Sequence, residues 1–183
     1  MKKLTSRIKY QEAEGETEVF ITPVKDEKAV KELRIWLVLF TLSGLSMLIG
    51  GPIFTSSREE YAMVLIFMVF WLYFEIKIFS AFRYRAKGQE RIKIDSKVLT
   101  YTLEKSGRGY PKSYELDKIS SWKYEEKAQS GFFGMINQSV WMIAGESVCF
   151  EYEGRSIHIG VQLKQGEAEH LIKWLKKQIS KGN

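Results

Sequence analysis

Two stretches interrupt an otherwise mixed pattern of polar and apolar positions. No residue between Arg34 and Arg58 is charged, and residues 35 to 54 read IWLVLFTLSGLSMLIGGPIF. Between Glu60 and Glu75 the chain is again almost wholly apolar, and residues 61 to 82 read YAMVLIFMVFWLYFEIKIFSAF, interrupted only by Glu75 and Lys77. At about 1.5 Å per helical residue, each stretch is long enough to cross a hydrocarbon core about 30 Å thick. Neither has the polar face that a helix lying on a soluble core requires. Ser57-x-x-Glu60 has the spacing of a capping box and predicts the start of the second helix. Thr22-Pro23, followed by Asp26 and Glu27, predicts that the first helix begins ahead of its apolar span, and Gly50-Gly51-Pro52 predicts its end. Only residues 55 to 60 separate the spans, so the two helices are expected as antiparallel neighbours in a hairpin.

After residue 87 the period changes. Short alternating or apolar runs are separated by turn residues, the pattern of a compact β unit. Seven strands are expected, over residues 91–95, 98–104, 110–116, 118–125, 139–143, 147–152 and 155–160. Asp95-Ser96, Ser106-Gly107-Arg108-Gly109, Gly145-Glu146 and Glu153-Gly154 supply the turn chemistry between them. A final helix is expected over residues 165–180, with Ala168, Leu171, Ile172, Leu175 and Ile179 on one stripe that plugs an open end of the sheet. A short strand over Thr17 to Thr22 could join a sheet edge. The predicted organisation is therefore an N-terminal segment (1–22), a transmembrane helical hairpin (23–87) and a β domain (88–183).

Seven strands closed by one C-terminal helix is the order of a pleckstrin-homology (PH) fold. The chain resembles bacterial membrane proteins in which a two-helix transmembrane hairpin precedes a PH-like domain. The resemblance rests on the hairpin, on Tyr114-Glu115-Leu116-Asp117-Lys118-Ile119-Ser120-Ser121, and on Ile157-His158-Ile159-Gly160 leading to Leu163 and the closing helix. It implies an α+β membrane protein with a seven-stranded PH-like barrel. It also implies a cytoplasmic interaction or scaffolding module, and it transfers no catalytic residues.

Composition alters this picture mainly through the distribution of charge. The mean hydropathy of −0.21 conceals how strongly the apolar residues are concentrated in one third of the chain. With one Cys a disulfide scaffold is excluded, and Cys149 fits a reducing compartment. Lys25, Lys28, Lys31 and Arg34 precede the first span and Arg83, Arg85, Lys87, Arg91 and Lys93 follow the second, whereas the connection offers only Arg58. The positive-inside rule then places both termini in the cytoplasm and the hairpin in the inner (cytoplasmic) membrane. The charged segment ahead of the first span does not fit a cleaved signal peptide. From Arg83 onward there are 18 basic and 12 acidic residues, an excess equal to the whole net charge of +6. Acids are interleaved with these bases, so nucleic acid is not an expected partner.

Candidate chemistry is sparse. A two-residue turn at Glu153-Gly154 places Cys149 opposite His158, with Glu151 and Ser156 on the same face; coincidental pairing is the expected reading. His158 and His170 lie in different elements without ligand spacing, so no metal, no cofactor and no small-molecule substrate is expected, and the chain is expected not to be an enzyme. Ser43, Ser46 and Gly50 share a helix face that permits close packing, against the second span or against another membrane protein. Glu75 and Lys77 lie toward the cytoplasmic end of the second span, where Lys77 snorkels and Glu75 is either partly hydrated or faces the helix of another membrane protein as a partner contact. Phe132, Phe133, Met135 and Ile136 form an apolar cluster in a connection, either capping the domain's own core or docking on a protein partner or the nearby membrane surface. Arg83, Arg85, Lys105, Arg108 and Lys112 form a basic set suited to anionic lipid. The first expectation is a non-enzymatic accessory or scaffold subunit of an inner-membrane protein complex, binding partners through the hairpin and the PH-like module. The second is a module that responds to anionic lipid.

Overall fold

The computed structural model describes residues 1–13, 15–125, 143 and 145–182. Its elements are β1 (Lys2–Lys3), β2 (Ile8–Ala13), β3 (Glu16–Ile21), α1 (Glu27–Phe54), α2 (Arg58–Lys87), β4 (Gln89–Ile94), β5 (Val98–Glu104) and β6 (Pro111–Glu115). After a short 3-10 turn at Leu116–Lys118 come β7 (Ile119–Tyr124), β8 (Glu146–Tyr152), β9 (Arg155–Val161) and α3 (Gln165–Gly182).

Local chemistry explains the helix limits. Asp26 caps α1 by accepting from the Ala29 N–H at 2.9 Å. Ser57 and Glu60 form the reciprocal capping box at the start of α2. The expected stop at Gly50-Gly51-Pro52 is not one: α1 runs through it to Phe54, with Pro52 inside the last turn. There few helical bonds remain to be lost, and Thr55 closes the end with its N–H and its hydroxyl both on the Gly51 carbonyl, at 3.0 and 2.9 Å.

Both helices are long and apolar enough to cross a membrane, with mean hydropathies of 1.9 and 2.0 over their most apolar windows, of which only 11% and 0% is buried inside the protein. Such exposure is the opposite of a soluble core helix. The helices touch each other along a narrow stripe. Gly44 lies against Trp71 and Gly51 against Val64, and the Trp71 indole N–H donates to the Phe40 carbonyl at 2.9 Å.

The β part differs from a closed seven-stranded barrel. Among the described residues the strands form two open antiparallel sheets, one of six strands in the order β1-β2-β3-β4-β5-β6 and one of three in the order β7-β8-β9. The physical reason lies at the edge of β4. That edge is occupied by β3, with Val19 opposite Ile92 and Thr17 opposite Ile94, and β2 and β1 extend the sheet outward. Residues 1–22 are thus not a separate segment but supply three strands of the domain. The strand expected over 139–143 falls outside the described residues except for residue 143, which is not in a strand. The other six expected strands are present, shifted by a residue or two at their ends.

One core joins the two sheets to α3. Ile8, Val19, Ile21, Ile92, Ile94 and Leu99 of the larger sheet meet Val148, Phe150 and Ile159 of the smaller and the helix stripe Ala168, Leu171, Ile172 and Leu175. The i, i+3, i+4, i+7 spacing of that stripe is what lets an 18-residue helix cover the gap between the sheets.

Candidate functional site

Among the described residues Glu90 stands out as a carboxyl group that is fully buried, on β4. β4 alternates, and Glu90 points inward with Ile92 and Ile94. A buried carboxylate is tolerable only when its oxygens are satisfied, and here four donors converge. The Tyr101 hydroxyl and the Gly160 N–H donate to Oε2, both at 2.8 Å. The Val161 N–H donates to Oε1 at 2.8 Å, and the Tyr84 hydroxyl lies 3.4 Å from the same oxygen. Gly160 has a φ of 77°, a conformation open to glycine, and it turns the end of β9 so that two successive amides face one carboxylate. Burial pushes the Glu90 carboxyl above its ordinary value, opposed by the bonds from Tyr101, Val161 and Gly160. The Tyr101 hydroxyl is raised as well, first by burial and then by the Glu90 charge. Through these bonds the end of α2, both sheets and the approach to α3 are tied at one point.

Arg7 makes a second tie. Its guanidinium donates to the carbonyls of Thr22 at 2.9 Å, Gln162 at 2.5 Å and Val161 at 3.2 Å, and lies 3.6 Å from Glu167 at the start of α3. Neither node is evident from spacing along the chain. For Glu90 a signal exists: extending the strand one residue ahead of Arg91 puts an acid on the apolar face.

A cleft of about 900 Å³ opens beside the Glu90 node, between the foot of α2 and the β5–β6 hairpin. The hairpin is held there by its own turn and by α2. Ser106 and Gly107 both have positive φ, 54° and 76°, which makes a tight turn closed by the Lys105 N–H on the Arg108 carbonyl at 2.7 Å. Arg83 donates to the Lys105 carbonyl at 2.6 Å, and the Lys105 ammonium donates to Ser80 Oγ at 2.7 Å. Arg83, Lys105, Arg108 and Lys112 all line the cleft, where Glu146 is the one acid among the described lining residues. None of these four bases forms an ion pair among the described residues. Partial burial and the charges of Lys77 and Arg83 push the Lys105 ammonium below its ordinary value. Tyr110 stands at the rim, 91% exposed. Arg85, expected with this group, is not part of it: it lines a different cleft with Lys25, Asp26, Lys31 and Arg34, between the feet of the two helices.

In the apolar helices Glu75 faces α1, with Oε1 2.6 Å from the Thr41 hydroxyl, and its other oxygen is buried without a partner among the described residues. Ser43 and Ser46 are exposed and bond only within α1, to the carbonyls of Phe40 and Ser43 at 3.1 and 2.7 Å. The stripe Ser43, Ser46, Gly50 is therefore not the main seam of the hairpin; Thr41, Gly44 and Gly51 are. Ser46 and Gly50 border a groove of about 540 Å³ near the connection between the helices. Phe132, Phe133, Met135 and Ile136 lie outside the described residues.

On the smaller sheet the register places Cys149 opposite His158 and Glu151 opposite Ser156, as the turn spacing predicts. A third group, missed in the sequence, joins them: Glu125 just beyond β7 brings its carboxylate to the thiol and the imidazole. Burial, then a bond to Glu125, pushes the Cys149 thiol up, which is the reverse of an activated nucleophile.

Comparison with family models, with curated proteins and with solved structures finds no match to this chain.

Proposed function

We propose that this protein is a non-enzymatic module of the inner membrane, anchored by its helical hairpin with both termini cytoplasmic, which engages anionic lipid headgroups in the basic cleft at the foot of α2. The observation that carries this reading is the bond from the Lys105 ammonium to Ser80 Oγ. Ser80 belongs to the apolar stretch 61–82, so that bond holds a cation of the β unit at the level where a span leaves the hydrocarbon. Arg83, Arg108 and Lys112 accompany it without acidic partners among the described residues, and the exposed Tyr110 suits the interface between lipid and water. A cluster of cations at a membrane surface is drawn to anionic lipid by about 1 kcal/mol for each Lys or Arg near it. The β unit is read as the PH-like module that the sequence resembles, its open sheets extended by the N-terminal strands.

The test is lipid retention by the full chain in mild detergent, followed by native mass spectrometry with phosphatidylglycerol and phosphatidylcholine offered together. The expected result is preferential retention of the anionic lipid. A Lys105→Gln, Arg108→Gln, Lys112→Gln variant should lose that preference by about a hundredfold at low salt, from roughly 1 kcal/mol per base. Equal retention of both lipids, or a variant that behaves as the parent, overturns the reading.

The exposed stripe of Ser43 and Ser46 supports a second reading, an accessory or scaffold subunit of a membrane complex. Small residues outside the hairpin seam leave a face of α1 on which the helix of another integral membrane protein could pack closely. Co-purifying chains that disappear in a Ser43→Leu, Ser46→Leu variant are the expected result under that reading; a lone monomer in both cases excludes a stable assembly.

A further inference from the structure

Beyond the four bases of the cleft, Glu125, Cys149 and His158 form a separate cluster, brought together by β7, β8 and β9. Lys123 and Tyr124 pair with Cys149 and Val148, so β7 delivers the chain to Glu125 alongside Cys149, and the Glu125 N–H is fixed on the Ser147 carbonyl at 3.0 Å. β9 supplies His158 directly across from Cys149. The carboxylate, thiol and imidazole ligand atoms all lie within 4.8 Å of one another. Cys149 is wholly buried, and His158 Nδ1 is buried with no hydrogen-bond partner among the described residues. A buried imidazole nitrogen without a partner is uncommon, and among the described residues only Glu75 Oε2 and Arg91 Nε share that state.

We infer that Glu125, Cys149 and His158 form a binding site for a thiophilic divalent cation, with zinc the ion of best fit. Each residue offers one donor, and the set of one sulfur, one nitrogen and one oxygen matches zinc in both ligand type and softness. Magnesium and calcium take oxygen ligands and leave the thiol and imidazole unused. Tetrahedral zinc holds its ligand atoms roughly 3.5 Å apart, given bond lengths of about 2.0 to 2.3 Å. The observed spread therefore closes with side-chain movement of about an ångström. On ligation the thiol gives up its proton to solvent, and Glu125 lets go of Lys123, now 3.7 Å away. Water takes the fourth position. Entry is from the cleft that His158 lines. The competing arrangement is the one already present without metal, in which the thiol lies 4.0 Å from the Phe150 carbonyl and Glu125 pairs with Lys123.

The experiment uses the full chain in mild detergent, stripped with a chelator and titrated first with cobalt(II) and then with zinc. One equivalent of cobalt should give a near-ultraviolet thiolate-to-cobalt charge-transfer band and tetrahedral visible bands, and zinc should displace it. Cys149→Ser should abolish the charge-transfer band, and Cys149→Ser and His158→Gln should each weaken zinc binding by more than about tenfold, since losing even an outer-shell partner of a ligand costs about that much. Failure to bind cobalt or zinc at one equivalent overturns the inference. So does binding that survives both substitutions, because that places the ion elsewhere. Should a variant lose its fold, the parent protein alone decides: zinc, but not magnesium or calcium, should raise its Tm, and an unchanged Tm overturns the site.

Discussion

Glu90 shows how one side chain can hold several elements and what its protonation does to them. Its carboxylate accepts from Tyr101, Gly160 and Val161, with Tyr84 at longer range, so every donor around it favours an acceptor at that place. Glu90→Gln replaces half of that acceptor with an NH2 group that faces donors. The expected cost is about 1 to 3 kcal/mol, read as a lower Tm of the full chain in detergent. Burial raises the carboxyl above its ordinary 4.5. Between that value and the raised one, the unfolded chain has lost a proton that the folded chain keeps. The folded state then binds more protons, so stability falls as pH rises through that window. Thermal unfolding followed from pH 4 upward should show this decline in the parent and lack it in Glu90→Gln. An identical slope in both would remove Glu90 from the account. The hydrophobic alternation of β4 contained this residue, since an acid at the position before Arg91 shares the face of Ile92 and Ile94. Its donors were not legible, because Gly160 and Val161 reach it only through the packing of two sheets.

At the scale of elements, the two helices were legible from length and composition, while the rotation of one against the other was not. Two stripes of small residues run along α1, one through Ser43, Ser46 and Gly50 and one through Gly44 and Gly51. Which of them faces α2 is decided by bulky partners on the other helix, Trp71 and Val64, together with the pairing of Thr41 with Glu75. A Cβ on Gly44 would lie 1.9 Å from Trp71 Cε2, so Gly44→Ala must displace the indole and break its bond to the Phe40 carbonyl. The expected loss is about 1 to 3 kcal/mol, as for other overpacked contacts. Ser43→Ala, on the exposed stripe, should stay within about 0.5 kcal/mol of the parent in the isolated chain. Unfolding in detergent followed by tryptophan fluorescence separates the two, and equal Tm values for them would disprove the seam. The turns of the β unit were legible for the opposite reason. Ser106-Gly107 and Glu153-Gly154 act within a few residues, and both dipeptides have the positive φ values that tight hairpins require.

For the whole molecule, the hairpin is inserted into a single β unit rather than joined to one end of it. β3 pairs with β4 across the full length of both helices, a partnership between residues 17–21 and 90–94 that no local pattern encodes. Ile8, Val19 and Ile21 are completely buried in the common core. Full burial of such side chains contributes roughly 1.5 to 3 kcal/mol each. Their combined contribution is comparable with the roughly 5 to 15 kcal/mol of net stability of a typical domain. Arg7 adds its bonds to the carbonyls of Thr22, Val161 and Gln162. Residues 88–183 expressed alone should therefore fail to fold, even though they contain both sheets' later strands and α3. Joining residues 1–22 to residue 88 by a short flexible linker, with the helices left out, should restore a cooperative unit. The measurement is thermal unfolding by circular dichroism together with resistance to protease. A cooperative transition in residues 88–183 alone would show that the N-terminal strands merely decorate the sheet. Its absence there and recovery in the joined form would mean that the chain cannot complete its β unit until the hairpin has brought its two ends together, so that folding of this domain and formation of the hairpin are coupled steps.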